Sequence, residues 1–157
     1  MHFRYMAIPT PHARDLQSGG VDAHGNKPER TTSDGSGNPC RHCLREIAAG
    51  KGMLIAAYTP FTSRQPYAET GPIFVCEEMC GRHDDTAALP RLFENRQSLL
   101  MRGYTTDERI FYGTGQIVEP EHCRDYLEAT FADPKTAFVH IRSASNNCFQ
   151  CRVERVG

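Results

Sequence analysis

The apolar residues of this chain come in short runs, and that pattern narrows its fold more than any other feature. "FRYMAI" (residues 3–8), "MLIAAYTPF" (53–61), "GPIFVC" (71–76), "AFVHIRS" and "FQCRVERV" are each too short for a well-packed helix. Several of them alternate with the two-residue period of a strand. Pro60 ends the second run, and Pro72 is tolerable only at a strand start or on an edge. "SLLMRGY" and "ERIFYGTG", bridged by Thr105, Thr106 and Asp107, read as a hairpin. Helical spacing is clearest in "EPEHCRDYLEATF", where Cys123, Tyr126, Leu127, Thr130 and Phe131 fall at i, i+3, i+4, i+7 and i+8 behind Pro120. "ALPRLFENRQ" predicts a short helix with Pro90 in its first turn. Strands outnumber helices. The expected architecture is therefore an α+β domain with a mostly antiparallel sheet and one or two packing helices.

A chain of 157 residues fits a single domain, taken as residues 1–157, and can bury a core without cross-links. Between its first two strands, "LQSGGVDAHGNKPERTTSDGSGNP" (16–39) is nearly devoid of apolar residues and reads as a polar loop or mobile arm. Such an arm suits an interaction module, which would lose partner capture but not its fold when 16–39 is deleted. Eighteen basic residues stand against nineteen acidic ones. That balance gives no global field for nucleic acid or an anionic membrane. No run approaches the ~18 consecutive apolar residues of a membrane span. The start, "MHFRYMAIPTPHARDL", lacks the apolar core and small-residue cleavage site of a signal peptide, so a cytoplasmic location is expected.

Seven cysteines are many for a chain expected in a reducing compartment, and an odd number cannot all pair internally. Cys40 and Cys43 in "NPCRHCLREI", and Cys148 and Cys151 in "NNCFQCRVERVG", share the Cys-x-x-Cys spacing that lets one tight turn offer two thiolates to a metal. Together they would make a closed four-thiolate site, with structural zinc as the expected cofactor. Against this stands the strand reading of "CFQCRVERV". There, residues three apart face opposite ways, Phe149, Cys151 and Val153 are buried, and Gln150, Arg152 and Glu154 face water. A shared metal then requires a turn at residues 146–151. Buried thiols, a redox couple and a disulfide all stay open.

"CEEMCGRH" holds a competing set, Cys76, Cys80 and His83, with Asp84 and Asp85 beside it. Cys76 and Cys80 share a face only if the segment turns helical, and the set could borrow a ligand from either Cys-x-x-Cys pair. The plainer expectation leaves Cys76 ending a strand, Cys80 beside it and His83 exposed. Cys123, on the apolar face of its helix, is packing.

A second functional reading is an enzyme or small-anion binder with a polar cleft. Alternation puts Phe138, His140 and Arg142 on one strand face, and Leu100, Arg102 and Tyr104 on another. If both faces open on one cleft, Arg102, Tyr104, His140 and Arg142 suit an anion, and Glu69, ahead of the Gly71-Pro72 turn, could complete it. An antiparallel sheet with one wet face has the same alternation. Gly113 and Gly115 around Thr114 form only an isolated Gly-x-Gly, with no helix following to bind phosphate.

The stretches "PCRHCL", "PYAETGPIFV", "MRGY", "YGTG" and "FVHIRSASNNCFQCRVER" together resemble a bacterial family known as domain of unknown function 1203, over residues 38–155. The resemblance implies a small soluble bacterial protein and brings no reaction, substrate or catalytic residue. In the pattern it follows, histidine often stands where this chain has Cys76, and both residue types ligate zinc. No biochemical role, partner or oligomeric state follows from it.

Overall fold

A computed structural model describes residues 1–86 and 88–157. The elements, in chain order, are β1 (His2–Met6), α1 (Thr10–Gln17), β2 (Glu29–Thr32), β3 (Gly52–Tyr58), β4 (Gly71–Cys76), α2 (Arg91–Glu94), β5 (Leu99–Tyr104), β6 (Gln116–Val118), a single turn of 3-10 helix (Pro120–His122), α3 (Cys123–Phe131), β7 (Phe138–Ser143) and β8 (Phe149–Val156). They form two antiparallel sheets with few helices, the α+β class expected. The chain divides into two compact units, and each sheet lies in its own unit.

The larger unit comprises Met1–Met6, Ser63–Ala68 and Asp84–Gly157, and its sheet runs β1-β8-β7-β5-β6. Register places Tyr5 opposite Val153, Val153 opposite Val139, and Ile141 opposite both Cys151 and Met101. This face is buried throughout. Helix α3 supplies Cys123, Tyr126, Leu127 and Phe131 to the core, and the Phe131 ring stacks on Phe3 with centroids 5.6 Å apart. The helical spacing read from the sequence is thus the buried stripe. Pro120 starts the 3-10 turn that leads into α3, where its missing N–H has no helical acceptor to lose.

Two expectations about this sheet need correction. The partner of β5 across the hairpin is β6, which begins after the second glycine of "YGTG". Of the 108–115 stretch, only Ile110 pairs with it, bridging to Tyr104. Phe149 does not share a face with Cys151, because a register irregularity at Ile141/Arg142 leaves Gln150 as an extra residue. Phe149 therefore meets His140 edge-on at 4.9 Å, Cys151 faces the α3 side with Ile141, and Gln150 is buried rather than facing water.

The smaller unit comprises Ala7–Thr62 and Glu69–His83, with sheet order β2-β3-β4. Leu54 pairs with Val75 and Ala56 with Ile73, and all four are buried. Pro72 lies on the edge strand β4, the setting its missing N–H requires. Residues 16–39, expected as a polar loop or mobile arm, hold the end of α1 and the strand β2. Short-range bonds organise the remainder: the Asp22 carboxylate accepts from the backbone N–H of His24, Asn26 and Ala57, and buried Ser33 donates to the Ile47 carbonyl. Polar side chains here replace an apolar core by satisfying the backbone directly.

Candidate metal centre

The first Cys-x-x-Cys pair lies in a tight knuckle. Leu44 N–H donates to the Cys40 carbonyl at 2.9 Å, Cys40 N–H donates to the Arg45 carbonyl at 2.9 Å, and Pro39 bridges to Glu46. Leu44 takes a left-handed backbone (φ 52°) while its side chain is buried, so the chain reverses immediately after the pair. The same segment runs alongside β4: Cys40 bridges in parallel to Phe74, Arg41 N–H donates to the Phe74 carbonyl, and Cys76 N–H points at Cys40 Sγ at 3.4 Å. Strand pairing thus delivers the knuckle to the end of β4.

There the chain leaves β4 and bends through Glu77 and Glu78 to Cys80 without forming a helix. The Sγ atoms of Cys40, Cys43, Cys76 and Cys80 all lie within 4.8 Å of one another, and Cys40 Sγ is 3.9 Å from Cys80 Sγ. A tetrahedral zinc with Zn–S bonds near 2.3 Å has S···S edges of about 3.8 Å. All seven cysteines are free, and 3.9 Å is far beyond an S–S bond. Cys40 is buried and the other three are half-buried.

Four thiols this close cannot all ionise without a counter-charge. Hydrogen bonds from Cys40, Cys43 and Cys76, and then from His42, hold Cys80 well below the ordinary thiol range. The proton on Cys76 is retained, chiefly through its hydrogen bond with Cys40. A bound divalent cation would remove that conflict by accepting all four thiolates.

The remaining expected site residues are distributed as follows. Cys148 sits in the β7–β8 turn, where its N–H donates to Ser143 Oγ. Cys151 is fully buried in the larger unit, and burial pushes its thiol up, with Cys123 and Asp85 adding to the effect. The turn at 143–148 closes one residue before β8 begins, so Cys148 belongs to the turn and Cys151 to the strand. Cys40 and Cys43 are gathered with Cys76 and Cys80 in the smaller unit, while Cys148 and Cys151 belong to the larger one. His83 is outside the four-thiol group; its N–H donates to the His42 carbonyl.

Arg102, Tyr104 and His140 do come together on one face of the larger sheet. Arg102 Nε and Nη2 donate to Tyr104 Oη at 2.9 and 2.7 Å, and the Tyr104 and His140 rings lie 4.7 Å apart. His140 is fully buried, and its pKa is pushed well down by burial first and then by Arg142, Arg152 and Arg102. It is held neutral and carries no charge for an anion. The Arg142 guanidinium bonds to Asn147 Oδ1 at 2.7 Å. Glu69 belongs to the smaller unit, where it precedes β4.

Sequence reasoning missed His42, although "CRHC" places it inside the knuckle. It is fully buried, with Nδ1 3.1 Å from Cys80 Sγ and Nε2 2.9 Å from Thr10 Oγ1.

Fold and site together define a cysteine-rich α+β protein with a four-thiol group at metal-ligand spacing. The chain belongs to the family described as Protein of unknown function (DUF1203), whose model matches residues 37–155. All four thiols lie inside that span. No curated protein and no solved structure matches the chain significantly. Among the described residues, no helix is long and apolar enough to cross a membrane.

Proposed function

We propose that the protein binds one zinc ion through Cys40, Cys43, Cys76 and Cys80, and that the ion's role is structural. The mutual spacing of the four Sγ atoms, all within 4.8 Å, carries this reading. Four protein ligands fill a zinc tetrahedron, whereas catalytic zinc keeps one position for water or substrate. The site would tie the knuckle to the end of β4 and so fix the smaller unit, whose sheet has only three strands. Thiolate ligands also suit iron, so elemental analysis must separate the two metals. Seven unpaired thiols fit a reducing compartment, and we place the protein in the cytoplasm on that basis. Purification of the untagged chain without chelators, followed by elemental analysis, should give one zinc per chain. A fully folded, metal-free protein that takes up no zinc would refute the reading.

A further inference from the structure

We propose that helix α1 is the outer shell of this metal centre: Thr10, Arg14 and Gln17 hold His42 and the Cys76–Cys80 loop so that Cys80 is presented as a ligand. The inference rests on the metal reading above. These three residues recur at i, i+4 and i+7, the spacing of one helix face, while Ala13 and Leu16 fill the buried stripe beside it. Each makes a specific contact toward the site. Thr10 Oγ1 lies 2.9 Å from His42 Nε2. Arg14 Nη2 donates to the Cys80 carbonyl at 2.7 Å. Gln17 Nε2 donates to the Cys76 carbonyl at 2.8 Å and to the Glu78 carbonyl at 3.1 Å. Arg14 Nη1 also donates to Gln17 Oε1 at 2.8 Å, which locks the two side chains together.

The chemistry assigns a direction to the Thr10–His42–Cys80 chain. With Cys80 held as a metal-bound thiolate and His42 neutral, Nδ1–H donates to Cys80 Sγ and Nε2 accepts the Thr10 hydroxyl proton. Thr10 thereby fixes the tautomer and ring orientation of a buried histidine, as outer partners of metal sites do. Among the described residues, the backbone of 77–80 makes one backbone–backbone bond, from Glu77 N–H to the Gly52 carbonyl. The side chains of α1 supply what its backbone lacks. On its far side Arg82 anchors the loop, donating to the Ile8 and Ala7 carbonyls at 3.1 and 2.7 Å, immediately before α1. Residues 10–17 lie outside the span matched by the family model, so the shell is built by this chain's own N-terminal segment.

The test is zinc affinity of the full chain, measured by competition with a chromophoric chelator, together with the thermal midpoint of the metal-free protein. Thr10→Val and Arg14→Met should each weaken zinc binding about 10- to 100-fold, the usual effect of losing an outer-shell partner. Cobalt loaded into these variants should still give a four-thiolate tetrahedral spectrum. Thr10→Ser, which keeps the hydroxyl, should bind like the parent, and the metal-free midpoints should stay within a few degrees. Unchanged affinity in both variants overturns the inference and leaves the metal centre standing. Equal loss in Thr10→Ser and Thr10→Val also overturns it, because shape rather than the hydrogen bond would then matter. A parent chain that binds no zinc overturns both readings.

Discussion

Replacing Cys76 tests both the ligand set and its chemistry. Structural zinc sites contribute about 10–16 kcal/mol of apparent binding free energy. The four sulfurs all lie within 4.8 Å of one another, and taken in equal shares, removing one in Cys76→Ala should cost roughly a quarter, about 2.5–4 kcal/mol. At 1.4 kcal/mol per tenfold, zinc affinity falls about 10²- to 10³-fold. Cys76→His should behave differently. Imidazole nitrogen ligates at about 2.0–2.1 Å against about 2.3 Å for thiolate. Cys76 is half-buried at the end of β4. That variant should keep one zinc per chain, with the cobalt charge-transfer absorption reduced by one thiolate. Competition titration and cobalt spectra of the parent, both Cys76 variants and Cys148→Ser provide the comparison. The reasoning fails if Cys76→Ala binds as tightly as the parent, or if Cys148→Ser loses the metal.

Three other outcomes follow from the same geometry. Alkylation of the zinc-loaded native chain should label Cys148 first, because Cys123 and Cys151 are buried with raised thiol pKa values; mass spectrometry should find those two modified only after unfolding. Stability should fall from about pH 9 to about pH 12, because burial raises Cys123 from 9.0 to about 11 and Tyr5 and Tyr126 from 10.0 to about 12. The unfolded chain ionises these groups first, so their contribution is complete below their unfolded pKa values and lost as pH rises through the folded ones; denaturant midpoints across that range check the sign. Phe131→Ala should cost about 3–5 kcal/mol, since the ring is fully buried against Phe3, and chemical denaturation measures it.

Much of the fold was legible because periodicity reports burial directly. "GPIFVC" and "FQCRVERV" coincide with β4 and β8, and the α3 stripe is the one its spacing marked. Helix α1 was not legible: "TPHARDLQ" buries only Ala13 and Leu16, and its polar face is spent on His42 and the Cys76–Cys80 loop, so it carries little apolar signal. The β-bulge that turns Phe149 toward His140 was hidden for a related reason. An inserted residue preserves the look of alternation while shifting its phase. Of the metal centre, the knuckle was visible in Cys40 and Cys43, but the identity of the second pair was not. Spacing alone favoured Cys148 and Cys151. What brings Cys76 and Cys80 to the knuckle instead is the parallel bridge of Cys40 to Phe74 and the clamp from α1, both long-range contacts that no local pattern encodes.

The most direct test is X-ray absorption at the zinc edge of the untagged, zinc-loaded full chain. The account predicts a shell of four sulfurs at about 2.3 Å with no light-atom ligand. A shell containing nitrogen or oxygen, or fewer than four sulfurs, would contradict the closed site formed by Cys40, Cys43, Cys76 and Cys80.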